Sequence, residues 1–334
     1  MVDKEFRAYV VFEDSEGNFK GEIRTRNTSD LPPGDVLIRV HYSSLNYKDA
    51  LSASGNRGVT REFPHTPGID ASGVVERSNV SEFNKEDKVI VTSYDLGMNT
   101  PGGWAEYVQV PAEWVVSLPT GLSLKESMFY GTAGFTAGLA FKKLLKHGVE
   151  VDHGLILVSG ASGGLGSIAL ALLSNQGYMV TAVTGKEESR GYLESLGVKN
   201  IISRDEAIDK SNKPMLSAKW AGVIDPVGGE ILATAIKKTV SRGVIVSCGN
   251  AASANLDITV YPFILRGISL VGVDSQNAPM ETRKEIWSKL ASEWKLKNID
   301  KIGSVCTLED ISEEVRNILE GKQIGRRVIS LVEG

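Results

Sequence analysis

Cysteine is nearly absent: Cys248 and Cys306 are the two in 334 residues. Two cysteines exclude a disulfide framework and a four-cysteine zinc site. Histidine is almost as scarce. His41, His65, His147 and His153 show no i, i+4 pairing and no neighbouring cysteine, so they read as surface or core residues rather than ligands, and no metal is expected. No apolar run approaches the roughly 18 residues of a membrane span. The N-terminus is charged at once, and the apolar stretch Ala8–Phe12 is too short for a signal-peptide core, so a cytoplasmic protein without membrane attachment is expected. An excess of one charge is also missing. The 37 basic residues against 41 acidic ones give a net charge of −4, which argues against a nucleic-acid binder.

What is present is globular. Hydrophobic residues make up 42% and charged residues 23%, and the length suits about two domains. The 35 glycines follow no G-X-Y period and belong in turns and close backbone contacts. Up to about residue 125 the chain is rich in short strand patterns: Arg7–Glu13, Phe19–Arg24, the run from Val36, Ser72–Arg77, Lys88–Thr92, Ala105–Val110 and Val115–Leu118. Turn clusters such as Pro32-Pro33-Gly34, Pro67-Gly68 and Pro101-Gly102-Gly103 separate them, as in a barrel or sandwich. From about residue 127 to 275, strands at Leu155–Ser159, Met179–Val183, Asn200–Ser203, Ala221–Asp225, Val244–Ser247 and Ser269–Val273 alternate with helices, among them Leu165–Gln176, Glu188–Leu196 and Glu230–Val240. That alternation predicts a doubly wound parallel sheet in an α/β protein. The tail, 276–334, holds two further helices and a last strand, Arg327–Val332, and is expected to rejoin the first domain, 1–126.

The strongest motif runs from Leu155 to Ala169: strand, glycine turn, helix. Gly163 lets backbone approach a pyrophosphate, and Gly166 lets the helix pack close to the strand. The N–H groups of Gly164, Leu165 and Gly166 open the helix toward phosphate oxygens. Ala161 stands where the first glycine of G-x-G-x-x-G is usual, but the strand-to-helix context is the one a dinucleotide site requires. An NAD site usually places an acid at the tip of the second strand to hold the ribose. Here the strand ends Thr184-Gly185-Lys186. A carboxylate would repel a 2′-phosphate, whereas Lys186 and Thr184 would bind it, with Arg204 at the end of the third strand reaching the same place. The expected cofactor is therefore NADPH; the alternative leaves Lys186 solvated and Glu187 or Glu188 on the ribose.

Three segments, Ser43-Ser-Leu-Asn-Tyr-Lys-Asp-Ala50, Pro67-Gly-Ile-Asp-Ala-Ser-Gly-Val-Val75 and Gly131-Thr-Ala-Gly-Phe-Thr-Ala137, precede the glycine motif. Pro262-Phe-Ile-Leu-Arg266 and Gly272-Val-Asp-Ser275 follow it. Together they resemble the zinc-free, quinone-oxidoreductase-like branch of the medium-chain dehydrogenase/reductase superfamily, and within it the YhdH/YhfP family, which includes NADPH-dependent acryloyl-CoA reductases. The resemblance implies a GroES-like catalytic β-barrel domain built from both ends of the chain, a central Rossmann domain and a homodimer. Where the superfamily's alcohol dehydrogenases carry zinc ligands, this chain has Asn46 and the Gly68-Ile69-Asp70 run, and isoleucine cannot ligate metal.

The resemblance also assigns residues. Tyr47 would sit beside the nicotinamide. Ser162, Gly163, Gly164 and Leu165 would bind the pyrophosphate, and Thr184, Gly185, Lys186 and Arg204 the 2′-phosphate end. Asn250 would touch the cofactor from the loop after the fifth strand. Ile264 and Ser275 would line the nicotinamide side, with Arg326 approaching from the tail.

The implied reaction delivers hydride to the β-carbon of a small 2-enoyl-CoA such as acryloyl-CoA. It needs donors for the thioester oxygen and a proton for the α-carbon. Tyr47 is the candidate donor, with Lys48 to lower its pKa and Asp49 to orient neighbours. Alternatively, Tyr47 packs on the cofactor and water is the acid. Arg57 and Arg61 are either coenzyme A phosphate ligands or solvated loop charges. Cys248, after a buried strand, reads as a small core residue. Two other functions stay open: a quinone reductase, and a cofactor-binding protein without turnover.

Overall fold

The computed structural model describes residues 3–332. The chain divides into two compact units. One contains the described residues up to Thr132 with Gln276–Ser292 and those from Asn298 onward; the other contains Ala133–Ser275 with Glu293–Lys297.

In the first unit, period-two patterning sets the strands. Along Glu5–Glu13 (β1), Phe6, Ala8 and Val10 pack with Leu37, Ala105 and Tyr107, while Tyr9 and Val11 face Leu45 and Trp104. Its antiparallel partner Phe19–Asn27 (β2) is open to solvent at alternate positions. Val36–Leu45 (β3) is followed at once by a short helix, Tyr47–Ala53 (α1). Asp70–Ser78 (β4), Lys88–Thr92 (β5), Tyr107–Val110 (β6) and Val115–Ser117 (β7) complete the N-terminal part. Valines from these strands, with Ile38 and Leu96, form the core.

Leu124–Lys146 (α2) then carries the chain into the second unit, bending at Gly131, whose φ of 50° and ψ of −156° are not helical. This long helix is buried on almost every side from Met128 to Phe141. It therefore has no polar stripe from which a 3.6-residue period could be read.

The second unit holds Leu155–Val158 (β8), Gly164–Asn175 (α3), Val180–Thr184 (β9), Arg190–Ser195 (α4), Asn200–Ser203 (β10), Arg204–Ala207 (α5), Trp220–Asp225 (β11), Gly229–Lys237 (α6), Thr239–Ser247 (β12), Tyr261–Arg266 (α7) and Ser269–Gly272 (β13). All six strands are parallel, in the order β10-β9-β8-β11-β12-β13. The order reverses direction at β8, which opens a crevice at the carboxyl ends of β8 and its neighbours. The helix expected to reach Val240 stops at Lys237, because Thr239 is already paired with Trp220 in the sheet.

The tail adds Met280–Ala291 (α8), Gly303–Cys306 (β14), Ile311–Leu319 (α9) and Arg326–Ser330 (β15). β15 pairs antiparallel with β3, and β14 parallel with β15, giving the seven-stranded sheet. β14 has no alternation of its own and is a strand only because β15 offers it an edge.

Candidate active site

In the second unit, Gly163 caps α3 without any side-chain hydrogen bond, leaving first-turn amides for an external acceptor. The two key glycines differ. A Cβ on Gly166 would lie 2.3 Å from the Gly160 carbonyl oxygen, so packing alone demands glycine there. At Gly163, whose φ is −82°, the nearest atom to a Cβ would be 3.3 Å away. That contact is tight but far milder than the one at Gly166, so the protein itself demands glycine less strictly at 163, which fits a place kept clear for a ligand. Gly164 and Leu165 follow in the same half-buried turn.

The expected adenosine-end residues come together. Thr184 Oγ1 donates to Ser162 Oγ at 3.1 Å and accepts the Lys186 N–H at 3.1 Å. Ser189 Oγ donates to the Lys186 carbonyl at 2.6 Å. Arg204 lies across Gly185, its Nε 2.5 Å from where a Cβ would stand. Burial lowers the Lys186 pKa; the Glu188 charge opposes this, and Arg204 adds to it. Two cations that repel each other therefore concentrate positive charge at the tip of β9. Glu187 is exposed and pairs with Arg190 at 3.0 Å.

A residue pair not singled out in the sequence joins the carboxyl ends of β8 and β11. Ser159 Oγ donates to Asp225 Oδ1 at 2.5 Å, and the Gly228 N–H donates to Oδ2 at 2.7 Å. Burial raises the Asp225 pKa against those bonds. Nothing in the local sequence marks Asp225 apart from its place at a strand end. Asn250 is exposed in the loop after β12, Ile264 is 68% exposed on α7, and Ser275 is half-buried beyond β13. Cys248 is half-buried, and burial pushes its thiol pKa up, which disfavours the thiolate a nucleophile needs.

In the first unit, Tyr47 opens α1 and is 45% exposed, while the residues behind it form a buried polar cluster. Asn46 Nδ2 donates to Asp49 Oδ2 at 3.0 Å and to Asp70 Oδ2 at 2.8 Å. Asp49 also accepts the N–H groups of Asn46 and Ile69, both at 2.8 Å. Asp70 takes the Thr132 hydroxyl at 2.6 Å, the Thr132 N–H and the Ser44 hydroxyl. Burial, then the Asp70 charge, raises the Asp49 pKa to about 7, against the pull of its hydrogen bonds.

Arg326, expected to approach a cofactor from the tail, is instead turned inward and is only 1% exposed. It donates to the carbonyls of Phe129 and Leu45, both at 3.1 Å, to Asn46 Oδ1 at 3.0 Å and to Ser44 Oγ at 2.7 Å. Strand β15 delivers it there, and the linear sequence gives no sign of it. Lys48 Nζ donates to Gln276 Oε1 at 2.7 Å. Arg57 pairs with Glu13 and donates to the Arg61 carbonyl at 2.6 Å, which ties it to the protein rather than to a ligand.

A catalytic zinc does not fit this cluster. It offers neither thiolate nor imidazole, Asn46 points its N–H groups at the carboxylates, and Asp70 is already enclosed by donors from four residues, Ser44, Asn46, Thr132 and Arg326. Among the described residues, the group with ligand-like spacing is Glu150, Asp152 and His153, exposed on the turn before β8.

The chain matches two family descriptions: "Alcohol dehydrogenase GroES-like domain" over residues 32–120 and "Zinc-binding dehydrogenase" over 164–292. It is 42% identical to the putative quinone oxidoreductase YhfP of Bacillus subtilis, covering 92% of this chain and 94% of that protein. It is 39% identical to the acrylyl-CoA reductase AcuI of Ruegeria pomeroyi, covering 98% and 99%. The yhdH oxidoreductase of Salmonella enterica, solved with NADP, superposes with a TM-score of 0.95 at 39% identity over 98% of this chain and all of that one. The Bacillus yhfP structure, solved with NAD, does so with 0.95 at 40% over 98% and 100%. Fold, motif order and these likenesses agree: the chain belongs to the quinone-oxidoreductase-like branch of the medium-chain dehydrogenases/reductases, in the YhdH/YhfP and acrylyl-CoA reductase family.

Proposed function

We propose that this protein is a zinc-independent, NADPH-dependent reductase of an activated C=C bond, converting a small 2-enoyl-CoA such as acryloyl-CoA to the saturated thioester. The observation that carries the cofactor choice is the Lys186–Arg204 pair at the tip of β9, with no carboxylate at the strand end. Likeness to AcuI over nearly the whole chain supports the substrate class. The second unit would hold the cofactor through Ser162, Gly163, Gly164 and Leu165 at the pyrophosphate and through Thr184, Gly185, Lys186 and Arg204 at the 2′-phosphate. Asn250, Ile264 and Ser275 are proposed as further contacts. The first unit is proposed as the catalytic domain.

NADPH, when bound, supplies hydride to the β-carbon. The chain's own part is electrostatic. Negative charge develops on the thioester oxygen, and the exposed Tyr47 hydroxyl donates a hydrogen bond to it or passes a proton toward the α-carbon. A second reading, NADPH:quinone oxidoreduction, is favoured by the likeness to YhfP and needs no coenzyme A contacts. We further propose a homodimer. Val260, Ile264 and Leu265 on or beside α7 are each at least 65% exposed, next to the open edge strand β13. Such an apolar face beside unpaired strand groups suits a partner.

One assay panel decides among these. NADPH oxidation is followed with acryloyl-CoA, with a quinone and with neither. Turnover of acryloyl-CoA with 4-deuterated NADPH should place deuterium at C3 of the propionyl group. Fast quinone turnover beside slow acryloyl-CoA turnover transfers the assignment to the second reading. No turnover of either, with NADPH bound, makes the protein a binder.

A further inference from the structure

The Tyr47 phenol has no hydrogen-bond partner among the described residues, yet its neighbours on both sides are anchored. On one side, Asn46 has both ends of its amide engaged, by Asp49 and Asp70 at Nδ2 and by Arg326 at Oδ1. Arg326 also grips the Leu45 carbonyl, so residues 45 and 46 are fixed by one planar group. On the other side, Lys48 is held by Gln276 Oε1. The Gln276 carbonyl is in turn fixed by the fully buried Arg283 at 2.8 Å.

These anchors converge from distant parts of the chain. Asp70 begins β4, Arg326 begins β15, and Gln276 is the residue at which the chain re-enters the first unit. A Cβ at Gly131 would lie 2.5 Å from Asp70 Oδ2 and 2.7 Å from Arg326 Nη2, so the α2 bend is seated on the same cluster. None of these side chains extends to the phenol itself. They hold instead the residues that flank it, Leu45 and Asn46 on one side and Lys48 on the other.

We propose that Arg326, Asp70 and Lys48 are positioning residues for Tyr47: they clamp the backbone on either side of it, so that the phenol is presented at one place without any bond of its own. The inference rests on Tyr47 being the group that meets the reacting molecule. Its physical content is preorganisation, since a displacement of about 1 Å at a reacting group costs about 10²-fold in rate.

The test separates position from chemistry. 3-Fluorotyrosine is installed at position 47 of the full-length protein, and its ¹⁹F resonance is recorded with and without NADPH. Lys48→Met and Arg326→Lys should each shift or broaden that resonance. Lys48 is the less buried of the two, so Lys48→Met carries the test if Arg326→Lys does not fold. In kinetics at saturating NADPH, Lys48→Met should lower kcat for acryloyl-CoA about tenfold while sparing its KM. In a Tyr47→Phe background the same change should have little further effect, because residues acting through one group are not additive. A resonance unmoved in a folded variant, or full additivity, overturns the proposal. If the wild type reduces neither acryloyl-CoA nor a quinone, the functional reading fails, and the ¹⁹F result still decides the positioning.

Discussion

At the scale of single residues, Lys186 and Tyr47 carry the sharpest expectations. Lys186 stands with Arg204 at a strand tip, where a 2′-phosphate would relieve their mutual repulsion. A charge-assisted contact contributes about 1.5–3 kcal/mol, or roughly ten- to hundredfold in affinity. Lys186→Ala should weaken NADPH binding by that factor and leave NADH nearly unaffected, as read by titration calorimetry. Equal constants for the two cofactors on the wild type would defeat the assignment. Tyr47→Phe removes one donor and should lower kcat about 10²–10³-fold. If it instead raises the KM for NADPH and leaves kcat unchanged, the phenol serves binding alone.

At the scale of elements, the β8–α3 turn and helix α1 behave differently. In the turn, Gly163→Val should abolish NADPH binding while circular dichroism stays native. Gly166→Ala drives a Cβ into the Gly160 carbonyl, so it should lower the melting temperature even without cofactor. Undiminished binding by Gly163→Val would falsify the pyrophosphate role. In α1, Asp49 caps its own helix from a fully buried position. Its folded pKa of about 7 lies above the unfolded carboxylate value of about 3.9. The unfolded chain therefore releases this proton first. The stability from Asp49 is complete below the unfolded value and is lost as pH rises through about 7. Denaturant unfolding of the wild type and Asp49→Asn between pH 5 and 8 should show a stability difference that changes across that window and levels off above it. A constant difference would mean that Asp49 does not titrate there.

For the whole molecule, the proposed dimer rests on the exposed α7 face of the second unit. Leu265 is 65% exposed, so Leu265→Asp should cost the monomer little. Sedimentation of the wild type should give twice the 36.0 kDa chain mass, and the variant should shift toward the monomer. A wild type that sediments as a monomer removes the proposal. Metal is a second question at this scale. Elemental analysis should find less than stoichiometric zinc, and a chelator should leave turnover intact. Activity lost to the chelator and restored by zinc would contradict the reading of the Asn46–Asp70 cluster. Among the described residues, no helix is long and apolar enough to cross a membrane.

What the sequence determined by itself is local. The parallel sheet was legible because its inner strands are short apolar runs between turn signals; its edge strand Asn200–Ser203, and Lys88–Thr92 in the antiparallel sheet of the first unit, have the same bounds in sequence pattern and structure. The glycine turn was legible because close approach of backbone admits few side chains, and Ser162, Thr184, Lys186 and Arg204 sit within a few residues of the strand ends that gather them. Helix α2 was not, because burial on all sides erases its period, and neither was β14, which depends on an edge supplied by β15. Tertiary structure alone decided the surroundings of Tyr47. Asp70 and Arg326 meet Asn46 across 24 and 280 positions of sequence. Arg326 thus became an interior anchor, because a buried guanidinium must satisfy its donors wherever the fold supplies carbonyls, and sequence spacing carries no record of which those will be.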